Sequence, residues 1–213
     1  MSSASVCEIA VFAKAAVAGE AKTRLIPELG AVRAARLHLA LVRQALETAL
    51  AADVGRVQLW HTQPDTTLND LAAKLGVQTR QQCTGDLGAR MSHCFDRLLA
   101  HATGVILVGS DCPSRSRQDF REASAQLRSG CDAVLGPTED GGYHLIALRH
   151  VQAALFAGID WSTPLVMQQT RERMRALKLG WHELPMRWDI DRPEDLARLR
   201  TDPQFAGLTR SYT

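Results

Sequence analysis

The sequence predicts an α/β fold in three layers, with a mostly parallel central sheet covered by helices on both faces. Three observations carry this expectation. Apolar runs of strand length alternate with segments of helical period along the whole chain. The run GVILVGSD, Gly104–Asp111, is apolar on consecutive residues, as a strand buried on both faces must be, and it stops abruptly at Gly-Ser-Asp. Finally, 213 residues that are 46% hydrophobic can bury one sizeable core, and no repeat or low-complexity linker divides them, so a single domain over residues 1–213 is expected.

Taken in order, CEIAVFA (Cys7–Ala13) is a compact apolar run suited to a first buried strand. Ala31–Ala52 is a helix, because Leu37, Leu41, Ala45 and Leu46 recur at helical spacing. Arg56–Thr62 is a second strand and Thr66–Leu75 a second helix. Gly85–His101, with Leu87, Met91, Phe95, Leu98 and Leu99 on one stripe, is a third helix leading into the Gly104–Asp111 strand. Arg117–Arg128 is helical, and Asp132–Leu148 is two strands around a turn-rich middle. Thr163 reads as a cap and Pro164 as the first residue of a helix reaching about Leu179. A short strand near Trp181–Leu184 and a helix at Pro193–Leu199, capped by Asp191, complete the chain.

Bulk properties exclude several functions. A net charge of +2 and only 5% aromatic residues support neither a phosphate-tracking surface nor base-stacking platforms, so no nucleic-acid partner is expected. No stretch is long and apolar enough for a membrane span. The five cysteines, at 7, 83, 94, 112 and 131, make no CxxC pair or zinc spacing and read as reduced thiols. The N-terminal MSSASVCEIAVFAK lacks a basic leader and cleavage site; together these predict a cytoplasmic protein. No heptad or exposed apolar stripe specifies an oligomer.

In open α/β sheets ligands bind beyond the carboxyl ends of the strands. The loop Lys14–Ala21 follows the first strand at that edge, and its small residues, Gly19 among them, let backbone amides approach a ligand closely. Lys22 and Arg24 come next, placed to neutralise phosphates, although a solvated pair is the plainer alternative. The segment is not a P-loop, since Ala21 and Ala16 stand where that motif needs glycine. Asp111 ends the strongest strand, and an acid there points to a site more readily than to a turn cap.

The segments FAKAAVAGEAKTRL, GDLGARM, VGSDCP, LGPTEDGGYHLIAL, WST and DIDRPEDL, in this order over about residues 8–200, resemble the signature segments of the DUF2064 family. That family, the rSAM/selenodomain-associated transferase 1 family, is similar to glycosyltransferase-A enzymes and to phospholactate and molybdenum-cofactor guanylyltransferases. The resemblance implies a GT-A, nucleotide-diphospho-sugar transferase type of sheet. It further implies a metal-dependent transferase using a nucleoside triphosphate or nucleotide-sugar and an acceptor of unspecified identity. Inactive nucleotide binding on the same fold is the alternative.

On the matching positions, the resemblance implies that Asp111 binds Mg²⁺ or Mn²⁺, with Asp189 and Asp191 closing the metal site, and that Lys22, Arg24 and Asp111 are catalytic. Nucleotide contacts would come from Lys14, Gly19, Lys22 and Arg24, from Asp86 and Arg90, and from Ser110. Asp140, Gly141 and Gly142 of the EDGGY turn would contact the sugar or acceptor. Each has a plainer alternative: Asp86 caps a helix, Asp191 caps the last helix, and EDGGY makes a hairpin turn. The usual family loop, KAPVPGRVKTRL, has prolines and a basic residue where this chain has Ala16, Ala18 and Glu20, which predicts a looser loop and a negative charge beside the phosphates. Cys112 is expected to be a buried structural thiol, and His61, His93 and His144 are expected to be structural.

Overall fold

A computed structural model describes residues 7–212. The leader segment considered above rests largely on Met1–Val6, which lie outside the described residues. The elements run β1 (Glu8–Ala13), α1 (Ile26–Leu29), α2 (Ala31–Ala52), β2 (Arg56–His61), α3 (Thr66–Lys74), β3 (Gln78–Gln81), α4 (Leu87–Leu99), β4 (Val105–Gly109), α5 (Arg117–Arg128), β5 (Ala133–Pro137), β6 (Tyr143–Leu148), α6 (Val166–Ala176), β7 (Trp181–Glu183), α7 (Pro193–Thr201) and α8 (Ala206–Tyr212), with single 3-10 turns at Thr23–Leu25, Ala153–Phe156 and Pro203–Phe205. The seven strands form one sheet in the order β3-β2-β1-β4-β6-β5-β7.

Within this sheet β1 pairs in parallel with β2 and β4, β2 with β3 and β5 with β7; β6 runs antiparallel between β4 and β5. The sheet is therefore mostly parallel. The carboxyl ends of β1, β4, β5 and β7 consequently open on one edge, and the chain's direction of growth reverses beside β1, the place where such sheets form a crevice.

Alternation along β1 divides the core. Ile9, Val11 and Ala13 face one side with Val42 and Leu46 of α2, Leu68 of α3 and Phe120 of α5. Ala10 and Phe12 face the other, with Met91 and Phe95 of α4 and Met167 and Met174 of α6. These are the expected three layers. A third cluster joins Leu37 and Leu41 of α2 to Trp188, Leu196, Phe205, Leu208 and Tyr212, so the end of the chain packs back on its first long helix.

Four features depart from the sequence expectation. The strand β3 (Gln-Thr-Arg-Gln) is exposed throughout, and a sheet edge can be polar because it has one neighbour and one wet side. The helix α8 has too few turns to show a period, and it forms because Leu208 and Tyr212 find cover on α2.

The helix α6 begins at Val166, not at Pro164. Ser162 takes a left-handed φ of 66°, the Thr163 hydroxyl donates to the Asp160 carbonyl at 2.7 Å, and the Met167 N–H donates to the Gly141 carbonyl at 2.8 Å. One of the donors left open at the helix start is thus satisfied by a carbonyl from a distant hairpin instead of a local cap. Finally, Asp191 does not cap α7. The carboxylate of Asp195 accepts the N–H groups of Asp191 (2.9 Å) and Arg192 (2.7 Å), which leaves the Asp191 side chain for another partner.

Candidate active site

Three chain segments far apart in sequence meet at the edge beyond β1 and β4. Lys22 leaves the β1 loop in a left-handed conformation, φ 50° and ψ 44°, uncommon for a residue with a long side chain. Its side chain is only 3% exposed, and its ammonium lies 2.9 Å from Asp111 Oδ1 while also donating to the carbonyl of Ile190. The Asp111 carbonyl in turn accepts the N–H of Ile190 at 2.9 Å. Residues 22, 111 and 190 are therefore fastened to one another directly, and the burial of Lys22 is compensated by a charge and a carbonyl, as a desolvated ammonium requires.

A second clamp lies beside the first. The Ser114 hydroxyl donates to the Trp188 carbonyl and accepts the Trp188 N–H, both at 3.2 Å. Arg187 next to it grips Asp119 of α5 with two bonds, at 2.7 and 3.1 Å. The loop after β4 and the segment after β7 are thereby joined on both sides of Asp189.

Asp111 is 47% exposed at its side chain. Partial burial works to raise its pKa, but the ammonium of Lys22, the nearby His38 and the hydrogen bonds from Lys22 and Ser110 outweigh this and hold the carboxyl below its ordinary value. Asp189 behaves oppositely. Its Oδ1 is buried with no hydrogen-bond partner, and burial, then the charges of Asp111 and Asp140, push it up to about 7 against the pull of Lys22 and Arg115. A half-buried carboxylate with one oxygen unpartnered, kept beside two other acids, is a configuration a hard cation would relieve.

Among the described residues no three or more His, Cys, Asp or Glu side chains are grouped to hold a metal ion. Asp111 and Asp189 are two acids close enough for the charge of one to act on the other. Such a pair suits Mg²⁺ or Mn²⁺ bound partly through phosphate oxygens. Asp191, expected as a further ligand, is paired with Arg24, and the second acid bearing on Asp189, after Asp111, is Asp140 of the β5–β6 hairpin.

The other expected contacts are dispersed along this edge. The loop Lys14–Ala21 is fastened despite lacking prolines: the Ala15 N–H donates to the Thr62 hydroxyl, the Ala16 N–H to Asp65, and Ala21 N–H to Val17. Glu20 accepts from Gln63 at 3.0 Å, so its charge is held by the β2–α3 loop. The carbonyl of Lys14 is bonded to His38 at 3.0 Å, and Gly19 is open at φ 94° with nothing near the place of a Cβ. Asp86 caps α4 through the Ala89 N–H at 2.8 Å, and Arg90 donates to the Gly85 carbonyl at 3.0 Å. Ser110 is buried, its hydroxyl 3.2 Å from Asp111.

The EDGGY segment is the turn of the β5–β6 hairpin. The space beside Gly141, at φ 87°, is filled by Pro164, whose carbonyl oxygen would lie 2.2 Å from an added Cβ. Next to it, Asp140 accepts from Thr138 at 2.6 Å and from the Gly142 N–H at 3.1 Å. Gly141 thus makes room for the protein's own backbone, and Asp140 is the residue of this turn whose charge reaches the acids. Burial raises the Cys112 thiol to about 12, which fits a structural cysteine.

Two residues of the centre carry no signal that sequence reasoning used. Arg115 is 4% exposed and donates to the carbonyls of Gly109 (2.8 Å) and His144 (3.0 Å), a fixed positive charge beneath Asp189 and Asp111. His38 sits on the apolar stripe of α2 yet bears on Asp111. A cation four residues past Asp111 was the available clue to the first; the second is indistinguishable from a core histidine by sequence.

Comparison with known proteins places the chain in a family. A family model described as "Uncharacterized protein conserved in bacteria (DUF2064)" matches residues 45–163, more than half of the chain. The chain belongs to the DUF2064 family. The matched span of this DUF2064 protein includes Asp111 and the β5–β6 hairpin, while Lys22 and Asp189 flank it. The chain is 27% identical over 197 residues, 86% of its length and 85% of the relative's, to 3-phospho-D-glycerate guanylyltransferase of Phenylobacterium zucineum (strain HLK1). It is also similar to a crystal structure from Desulfovibrio desulfuricans G20, provisionally named a nucleotide-diphospho-sugar transferase, with a TM-score of 0.87, 30% identity and coverage of 97% of this chain and 94% of that one.

A more distant likeness shows the fold alone. Glucosyl-3-phosphoglycerate synthase of Mycobacterium tuberculosis, solved with Mn²⁺, UDP and glucosyl-3-phosphoglycerate, superposes with a TM-score of 0.56 at 11% identity, over 97% of this chain and 79% of its own. The fold is thus of the GT-A and nucleotidyltransferase type, and the relatives support a transferase.

Proposed function

We propose that this protein is a divalent-cation-dependent nucleotidyltransferase, which joins a nucleoside monophosphate unit from a nucleoside triphosphate to a small acceptor and releases pyrophosphate. The observation that carries this reading is the convergence of Lys22, Asp111 and Asp189 at one point of the sheet edge. Asp111, Asp189 and the nearby charge of Asp140 would hold the cation, which neutralises charge developing on the leaving pyrophosphate.

The residues of the chain supply position and fixed charge, which is most of what phosphoryl transfer asks of a protein. Lys22, buried and held by Asp111 and the Ile190 carbonyl, is a stationary positive charge for the phosphates nearest the reaction. Arg24 differs. Its pair with Asp191 is exposed, 59% and 42% at the two side chains, so it opens at little cost and can turn to the outer phosphates. In the tethered β1 loop the Ala15, Ala16 and Ala21 amides are committed to the protein, so the stretch about Gly19, with open space beside it, is where the chain of phosphates would lie. An acceptor oxygen then bonds to the α-phosphorus as the bond to the β-phosphate breaks.

The named relative suggests GTP and a phosphorylated hydroxy acid such as 3-phosphoglycerate as the first pair to test. The experiment is pyrophosphate release from each nucleoside triphosphate with Mg²⁺ or Mn²⁺ and that acceptor, beside a panel of nucleotide-sugars. Metal-dependent pyrophosphate release supports the reading. Turnover of a nucleotide-sugar alone replaces it with glycosyl transfer, and thermal stabilisation by nucleotide without any turnover replaces it with a catalytically inactive binder.

A further inference from the structure

The position of Lys22 raises a question that the proposed chemistry leaves open: its ammonium already occupies Asp111 Oδ1, an oxygen of the acid best placed to bind the cation. A lysine at a binding site commonly lies along the surface and swings aside when a ligand arrives. This one cannot do so cheaply. Its backbone is in the left-handed region, its stem is buried, and its ammonium is held by Asp111 and by the carbonyl of Ile190. Arg115 adds a second immobile positive charge below the same acids, bonded to the carbonyls of Gly109 and His144. The centre therefore sets two built-in cations, Lys22 and Arg115, against Asp111, Asp189 and Asp140 before any divalent ion arrives.

Resting on the nucleotidyltransferase reading, we propose that Lys22 is a built-in competitor for the divalent cation, so that the centre takes up that cation together with the phosphates of a nucleoside triphosphate and only weakly without them. The physical reason is charge balance. A bare dication entering beside a fixed ammonium meets repulsion that two carboxylates, one of them shared with that ammonium, offset poorly. A dication carried by a triphosphate brings surplus negative charge, and Lys22 then attracts the complex it would otherwise oppose. The residue thereby excludes free metal and favours the loaded nucleotide through one charge.

Direct Mn²⁺ titration of the full chain, read by the electron paramagnetic resonance signal of free Mn²⁺, tests this without any activity assay. Wild-type protein is expected to bind Mn²⁺ weakly alone and, read against the same Mn²⁺ and GTP without protein, much more tightly with GTP present. Lys22→Gln, which removes the charge but keeps a donor for Ile190, is expected to bind Mn²⁺ alone about tenfold or more tighter than wild type. Adding Asp111→Asn to it should abolish that gain. Equal Mn²⁺ affinity of Lys22→Gln and wild type overturns the proposal. So does wild-type protein that binds Mn²⁺ as tightly without GTP as with it, a result that stands even if the variant fails to fold. If Asp111→Asn alters Mn²⁺ binding in neither state, the centre itself is misassigned and the nucleotidyltransferase reading falls along with this inference.

Discussion

At the scale of single residues, Asp111 and Asp189 are neighbours with opposite electrostatics. Asp111 is held ionised by Lys22, and its loss should remove cation binding outright. Asp111→Ala is expected to lower turnover by roughly 10²–10³-fold, the usual size of losing one transition-state charge contact, as measured by pyrophosphate release once the substrate pair is known. Asp189, raised to about 7, gives a prediction about stability. Between the ordinary carboxyl pKa and about 7 the folded state holds a proton the unfolded chain has lost, so this group's contribution to stability is complete in acid and disappears as pH rises through 7. Asp189→Asn should therefore unfold at the same denaturant concentration as wild type near pH 4 but be more stable by about 1–2 kcal/mol at pH 8.5, while losing activity. Equal stability at both pH values would show that Asp189 is not strained in this way. Asp111 could be singled out from the sequence because an acid ends the strongest strand, and Asp189 because it falls in a segment that carries the family resemblance. Their separate roles could not, because burial and the partners Lys22, Ser110 and Arg115 are properties of space.

At the scale of elements, the β5–β6 hairpin and the start of α6 are one construction. Gly141 lies against Pro164, and its carbonyl receives the N–H of Met167. Gly141→Ala forces a Cβ into the Pro164 carbonyl at a backbone angle that alanine avoids, so it should cost more than about 2 kcal/mol by thermal or denaturant unfolding. A cost below about 0.5 kcal/mol would mean the hairpin can slide. This coupling explains why α6 starts two residues later than the sequence predicts: Thr-Pro is an ordinary helix opening, and only the distant hairpin shows why the first turn is taken up otherwise. The long helices were legible because their period is repeated many times, and the buried strands because their apolar residues are consecutive. The strand β3 and the helix α8 were not, since one is a polar edge and the other is made helical by what it packs upon.

At the scale of the whole molecule, the chain's last segment supports the site from behind. Phe205 meets Trp188 edge to face with ring centroids 5.4 Å apart, Arg198 covers the other side of Trp188 at 4.4 Å, and Leu208 and Tyr212 lie with Leu37 and Leu41 of α2. A chain ending at Asp202 is expected to lose more than about 3 kcal/mol of stability, and with it the thermal shift produced by nucleotide and Mn²⁺ together. A truncated protein that keeps the full shift would show that Trp188 needs no such backing to place Asp189. The alternation of strands and helices disclosed the three layers, and a family resemblance narrowed them to one type of sheet. The packing of the chain's end onto α2 had no comparable signal.

The fastening of residues 22, 111 and 190 carries a consequence for biosynthesis. A ribosome delivers Lys22 early, Asp111 midway and Ile190 late, and the clamp at Ser114 likewise waits for Trp188. A nascent polypeptide can raise most of its sheet without possessing a competent reaction centre. On the proposed reading no reaction centre exists until the segment about Ile190 has docked, so a fragment released before it would be inert rather than partially active.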